Sequence, residues 1–183
     1  KKVVKKLVPE RIKQKVRDSR KLKEELVNMQ ALPDTICDTT NLKHITADEL
    51  NSIFTNDETA SAWAGVQSTL DKLKLPRMTG GINPGDQRAI FSLVQHYKPK
   101  SVLEIGTLIA CSTTNIAVAM KQANHSDAKL ISVDINDVNC KKLKLYEKYG
   151  CEKSPEELIQ QLNYHDQVHF QNQNSIDYMK QTN

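Results

Sequence analysis

The chain has 183 residues, of which 38% are hydrophobic and 26% charged, and its formal net charge at pH 7 is +4. This length suffices for one ordinary domain with an appendage. No segment approaches the roughly 20 apolar residues of a membrane helix, and the lysine-rich start lacks the apolar run of a signal peptide. We therefore expect a soluble cytoplasmic protein without a membrane span.

The cysteines and histidines follow no metal-site or disulfide pattern. The four cysteines, at positions 37, 111, 140 and 151, show no CxxC spacing, and the five histidines are scattered. Such spacing is typical of free thiols in a reducing compartment. We therefore predict no metal ligands within this chain.

The positive charge is concentrated at the start of the chain, where residues 1–26 contain eleven Lys or Arg and four acids. Apolar residues recur there at a spacing of four, which is typical of a helix with a narrow apolar stripe. Such a helix could be a basic arm that binds RNA or an acidic membrane surface. The alternative is a solvated helix that rests its apolar stripe on the body of the protein. We favour the solvated helix and assign residues 1–45 to a basic helical arm and linker.

Capping patterns mark the starts of three later helices. In a capping box, a Ser or Thr stands three positions before a Glu, and each satisfies a free backbone amide. The predicted helices span residues 46–54, 56–74 and 154–164, and the first two make residues 46–78 a helical extension. The three pairs are Thr46 with Glu49, Thr55 with Glu58, and Ser154 with Glu157.

The remainder of the chain, residues 79–183, alternates between helices and short apolar strands. A loop at 79–85 precedes a helix that ends before Pro99, and strands are predicted at SVLEIG (101–106), KLISVDI (129–135) and VHFQN (168–172), with a helix over 112–124. This alternation predicts an α/β fold with a parallel sheet. Ligands of such sheets bind beyond the carboxyl ends of the strands, where polar residues follow each strand here.

These segments resemble the first three strands of class I S-adenosylmethionine-dependent methyltransferases, most closely the small-molecule O-methyltransferases of the catechol and caffeoyl-CoA type. The resemblance covers about residues 78–183 and implies a Rossmann-like, doubly wound parallel sheet. The stretch EIGTLIACS (104–112) follows the family pattern after strand one, with its acid, glycine and serine in place. It departs from that pattern at Leu108 and Ala110, where the family often has glycine.

The resemblance implies an S-adenosylmethionine site at the three strand ends and in the preceding glycine loop. A carboxylate two residues before the glycine would repel a pyrophosphate but attract the ammonium and sulfonium of this cofactor. The acid that closes strand two would bind the ribose hydroxyls, and the segment after strand three would hold the adenine. The implied cofactor-binding residues are Gly81, Glu104, Gly106, Thr107, Ser112, Asp134, Ile135, Asn174 and Ser175.

The family sheet has seven strands, and its first strand is central. With only strands one to three, the apolar strand 101–106 would be an exposed edge, which proteins normally avoid. We therefore expect the rest of the sheet to come from a longer chain or from a partner chain, with a homodimer as one arrangement. The family's catalytic residues, and those that bind a divalent metal, would then lie beyond residue 183, so no catalytic residue is nominated.

The function that this resemblance implies is S-adenosylmethionine-dependent O-methylation of a small-molecule acceptor. Three alternatives remain open, of which an enzyme that uses a nicotinamide cofactor ranks last. The first is an RNA methyltransferase that uses the basic arm, although the chain is poor in aromatic residues for base stacking. The second is a non-catalytic interaction module with the same fold.

Overall fold

The structure is a computed structural model that describes residues 19–20, 23, 45–76, 82–124 and 127–182. The chain divides into two compact units, residues 1–44 and 45–183. Most of the predicted basic arm therefore lies outside the described residues, and so does the loop residue Gly81. The second unit contains α1 (Ala47–Phe54), α2 (Asp57–Asp71), α3 (Pro84–Tyr97), β1 (Ser101–Ile105), α4 (Cys111–Gln122), β2 (Lys129–Asp134), a 3-10 helix (Leu145–Tyr149), α5 (Pro155–Gln161), β3 (Val168–Asn172) and α6 (Ser175–Thr182).

The three strands form a parallel sheet in the order β1-β2-β3. The predicted α/β class with a Rossmann-like parallel sheet is confirmed, and each strand lies where the alternating pattern predicted it. The register places Glu104 beside Ser132, and Ser132 beside Phe170. Since side chains alternate between the two faces of a strand, these three residues share one face of the sheet.

Two of the three predicted capping boxes are present. The Thr46 hydroxyl accepts a hydrogen bond from the amide of Glu49, and that glutamate accepts one from the Thr46 amide. Ser154 and Glu157 are paired in the same way at the start of α5, where Pro155 occupies the first turn. Each cap satisfies amides that the helix itself leaves without a partner, so these helices begin where the sequence predicted.

The capping box predicted at Thr55 is wrong. The side chain of Asn56, and not that of Thr55, accepts the hydrogen bond from the Thr59 amide at 2.9 Å. The Thr55 hydroxyl instead donates to the carbonyl of Asn51 at 2.9 Å. Thr55 therefore ends α1, and its side chain is already engaged by the preceding helix.

Two helices end earlier than predicted. Helix α2 stops at Asp71 and α5 at Gln161, whereas the sequence pattern extended them to 74 and 164. Lys74 and Asn163 have φ values of +54° and +52°. A residue in the left-handed region cannot continue a right-handed helix, so the chain turns away at these positions.

The core lies between the helices and one face of the sheet. Helix α4 is almost entirely enclosed, and Phe91 of α3 and Leu130 of β2 are fully buried against the same apolar cluster. Trp63 is partly buried, and its ring lies 5.5 Å from that of Phe91. Trp63 thus packs on the core.

Strand β1 is an edge strand with exposed apolar side chains. Within the described ranges it pairs with β2 alone, and the side chains of Leu103 and Ile105 are 44% and 58% exposed. None of the helices in the described ranges is long and apolar enough to span a membrane.

Replacement of Lys98 by glycine should stabilise the protein. Lys98 ends α3 with φ +44°, is exposed, and precedes Pro99. The left-handed conformation costs a lysine about 1–2 kcal/mol, while the greater freedom of glycine in the unfolded chain offsets about 0.5–1 kcal/mol. We expect Lys98→Gly to raise the free energy of unfolding by about 0.5–1 kcal/mol in urea denaturation.

The control is Lys100→Gly, which changes an exposed lysine two residues away that has no positive φ. It should leave stability unchanged or lower it. Equal effects of the two substitutions would contradict the explanation from backbone conformation.

Candidate cofactor site

The turn between β1 and α4 is held in an unusual backbone conformation. Gly106, Leu108 and Ala110 have φ values of +89°, +47° and +63°. The amide of Gly106 donates to the carbonyl of Val133 at 2.8 Å, which extends the sheet ladder by one residue. The left-handed region costs a residue with a side chain on the order of 1 kcal/mol or more. Leu108 and Ala110, the two departures from the family glycines, therefore occupy strained positions.

Glu104 is buried at the end of β1, and each oxygen of its carboxylate has a donor. Its Oε1 accepts a hydrogen bond from the hydroxyl of Ser112, and its Oε2 accepts from those of Thr113 (2.6 Å) and Ser132 (2.5 Å). Ser112 and Thr113 stand in the first turn of α4, where the helix dipole favours a negative charge. The hydrogen bonds from strand β2 and helix α4 together offset the energetic cost of burying this acid.

The electrostatic environment of Glu104 favours a positively charged neighbour. Burial raises the pKa of Glu104 above its ordinary value of 4.5, the three hydroxyl groups oppose that effect, and the negative charge of Asp134 adds to it. A cation placed beside the carboxylate would lower this pKa again. The site is therefore suited to a cationic ligand more than to an anionic one.

Thr107 extends the hydroxyl cluster around Glu104. Its hydroxyl lies 2.6 Å from that of Ser132, and both side chains are buried. Sequence reasoning nominated Thr107 but missed Ser132 and Thr113. The strand register was the available signal for Ser132, because it stands beside Glu104 in the neighbouring strand.

Asp134, the acid at the end of β2, holds the turn after β1. Its Oδ2 accepts the backbone amides of Thr107 and Leu108, each at 3.0 Å. Its Oδ1 accepts the amide of Asn136 at 2.8 Å and the side-chain nitrogen of the same residue at 3.2 Å. Both oxygens are thus directed at protein donors, and the carboxylate joins the ends of two strands.

The remaining predicted residues lie near the same edge of the sheet. Ile135 follows Asp134 directly and is 71% exposed. The side chain of Asn174 accepts the amide of Ile176 at 2.9 Å, so it caps α6, whose first residue is Ser175. The amide of Gln173 donates to the carbonyl of Asp134 at 2.9 Å, which brings the end of β3 to the end of β2.

A cavity of about 90 Å³ opens beside the hydroxyl cluster. Glu104 and Asp134 are not among its lining residues, because their oxygens face the protein donors described above. Residues with amide side chains, from the segment after β2 and from the end of β3, line the cavity. Its polar lining includes Thr107, Ser132, Asn136, Asn139 and Asn172.

The described ranges contain no group of three or more His, Cys, Asp or Glu side chains that could hold a metal ion. Cys111, the first residue of α4, is buried, and its burial raises the pKa of the thiol to about 11. The thiol is therefore neutral at pH 7 and adds no negative charge to the turn.

Comparison with known proteins gives structural matches only. No family model matches the chain, and no curated protein matches it in sequence. It is similar to cofactor-bound Rv0187 from MTB, with a TM-score of 0.43, 16% identity, and coverage of 76% of this chain and 56% of that one. It is also similar to an O-methyltransferase from Bacillus cereus in complex with SAH, with a TM-score of 0.42, 20% identity, and coverage of 74% and 54%. The chain thus spans little more than half the length of each.

The raised pKa of Glu104 predicts a pH dependence of stability. A carboxyl whose folded pKa exceeds its unfolded value of 4.5 binds more protons in the native state. Stability should therefore fall as pH rises from about 4.5 through the folded pKa. Glu104→Gln, which cannot ionise, should remove this part of the pH dependence when unfolding free energies are measured across that range.

Glu157→Gln serves as the control of opposite sign. Hydrogen bonds from Ser154 lower the pKa of Glu157, so its contribution is present above the unfolded pKa and is lost as pH falls through the folded pKa. This variant should therefore have a lower free energy of unfolding near neutral pH than the wild type. Its free energy of unfolding should also decrease less as the pH falls into the acid range. An unchanged pH profile for Glu104→Gln would contradict the prediction.

Proposed function

We propose that the chain binds S-adenosylmethionine at the carboxyl ends of β1 and β2 and is the cofactor-binding part of an O-methyltransferase for a small molecule. The observation that carries this proposal is the buried carboxylate of Glu104 beside the turn that begins at Gly106. A buried acid with a raised pKa favours a ligand that brings positive charge. The ammonium and sulfonium of S-adenosylmethionine meet that requirement.

A dinucleotide fits the same position poorly. It would bring a pyrophosphate to the turn after the first strand. Two like charges about 4 Å apart repel by about 4 kcal/mol at an effective dielectric constant of 20. Because Glu104 is buried, little solvent would screen this repulsion. The negative charge of Asp134 would add to it.

The space next to Gly106 is open at the scale of one carbon atom. A Cβ atom placed on this glycine would meet no atom within 4 Å apart from those of its chain neighbours. Binding requires two exchanges of hydrogen-bond partner. Ser112 would turn from Glu104 to the carboxylate of the ligand, and Asp134 would exchange its contacts with Asn136 for the two ribose hydroxyls.

The residues of this chain would bind and orient the cofactor. Glu104 would hold the ammonium group, and the hydroxyls of Thr113 and Ser132 would keep its carboxylate in place. Asn174 and Ser175, after β3, would contact the adenine beside Ile135. When bound, the cofactor supplies an electrophilic methyl group, and transfer then depends mainly on the position of the acceptor.

The setting that we propose is the cytoplasm. Cys111, Cys140 and Cys151 are free thiols in the described part of the chain. Free thiols are typical of a reducing compartment, which supports this location.

Titration of the 183-residue chain with S-adenosylmethionine by calorimetry tests the proposal. We expect saturable binding to the wild type. Glu104→Gln should weaken it by about 1–3 kcal/mol, or roughly five- to 150-fold, since a charge-assisted hydrogen bond is lost. Thermal unfolding of both proteins would show that each remains folded.

Glu147→Gln is the matched control, because it removes an exposed carboxylate that is paired with Lys144 on the 3-10 helix. It should leave cofactor affinity unchanged. Absence of saturable binding to the wild type, or tighter binding of a nicotinamide dinucleotide, would refute the proposed function.

The charge surplus of residues 1–26 supports a second candidate, methylation of RNA. In this case RNA affinity should fall steeply with salt, because each phosphate contact releases counterions. Deletion of residues 1–26 should abolish that salt dependence in a fluorescence anisotropy titration. Absent or salt-insensitive RNA binding by the whole chain would exclude this alternative.

A further inference from the structure

A second cavity, of about 320 Å³, lies away from the strand ends. It is formed by the residues that follow α2 and by the segment that leads into α5. This volume is at the lower end of the range for small-molecule sites. The lining that matters for its chemistry is Lys72, Lys74, Lys153, Glu152, Cys151 and Leu158.

The charge of this cavity is positive. Three lysines line it against one glutamate, which leaves a surplus of two positive charges. Within the described ranges, Lys72 and Lys74 have no carboxylate at ion-pair distance, and the ammonium group of Lys153 donates to the amide oxygen of Gln161. Within those ranges Lys72 and Lys74 are therefore not neutralised by a paired carboxylate, and together with the net surplus they favour an anion.

The floor of the cavity is apolar. Leu73 and Leu158 line it and are almost fully buried, and the buried thiol of Cys151 lies beside them. Burial raises the pKa of Cys151, so this thiol stays neutral at pH 7 and adds no negative charge. An apolar floor beneath basic side chains suits a ligand with an apolar body and an anionic head.

We propose that this cavity binds a small dianion with an apolar body, for which a phosphate monoester is the simplest chemical class. Two negative charges on the head match the surplus of two in the cavity. The body would contact Leu73, Leu158 and Cys151. This site is separate from the proposed cofactor site, and its occupation does not depend on S-adenosylmethionine.

The cavity nonetheless adjoins the turn after β1. Cys151 lines the cavity and belongs to a buried apolar cluster, and Leu75, which also lines the cavity, packs against that cluster. The same cluster contains Ile109 and Cys111, with Leu108 packed against it. A ligand in the cavity would thus contact the packing layer that supports the turn.

The test uses phenyl phosphate as the probe, added to the 183-residue chain and followed by amide chemical shifts. Saturable shifts at Gly150 and Cys151 are expected. Lys72→Gln/Lys74→Gln should weaken binding about tenfold or more, because both charges next to the anion are removed. Lys98→Gln/Lys100→Gln is the matched control: it has the same spacing and charge change, and Lys98, like Lys74, has a positive φ.

Two further probes separate the contributions of the head and the body. Methyl phosphate, which lacks the body, and benzoate, which has one charge, should each bind several-fold more weakly than phenyl phosphate. Equal affinity for all three probes, equal effects of the two double variants, or no saturation by about 10 mM phenyl phosphate would each overturn the proposal. If the wild-type chain binds phenyl phosphate but does not bind S-adenosylmethionine, only the proposed cofactor site is refuted.

Discussion

The buried carboxylate of Glu104 is the interaction on which the proposed site depends. Three hydroxyl groups from two different elements donate to it: Ser132 from β2, and Ser112 and Thr113 from α4. An acid in this position without donors would destabilise the fold. The contacts therefore satisfy the acid and join β1 to β2 and α4, and they place a carboxyl group next to the glycine turn.

Asp134 gives the same arrangement a second support. Its carboxylate holds the amides of Thr107 and Leu108, so the turn after β1 is fastened to the end of β2. The turn needs this support, because Leu108 and Ala110 are in the left-handed region, which favours glycine. In the proposed site the cofactor would bind through the same two carboxylates, so it would have to exchange contacts that stabilise the chain.

Much of the fold could be predicted from local patterns. Short apolar strands that alternate with helices indicated the parallel sheet, and hydroxyl residues three positions before a glutamate marked the starts of α1 and α5. Prediction failed where a local pattern had two solutions. Thr55 could cap the next helix or bond back to the previous one, and the contact with Asn51 prevailed. The ends of α2 and α5 depend on left-handed residues that helix propensity does not indicate.

By itself, the sequence determined which residues end each strand and hence which side chains meet at one edge of the sheet, because parallel strands align their carboxyl ends. It also indicated that Glu104 would be an acid in an apolar setting. Tertiary structure alone decided the hydrogen-bond partners of that acid, since Ser132 and Thr113 reach it through the strand register and the docking of α4. It alone created the lysine-lined cavity, because Lys72 and Lys153 are far apart in the chain and meet only when α2 and α5 pack into one unit.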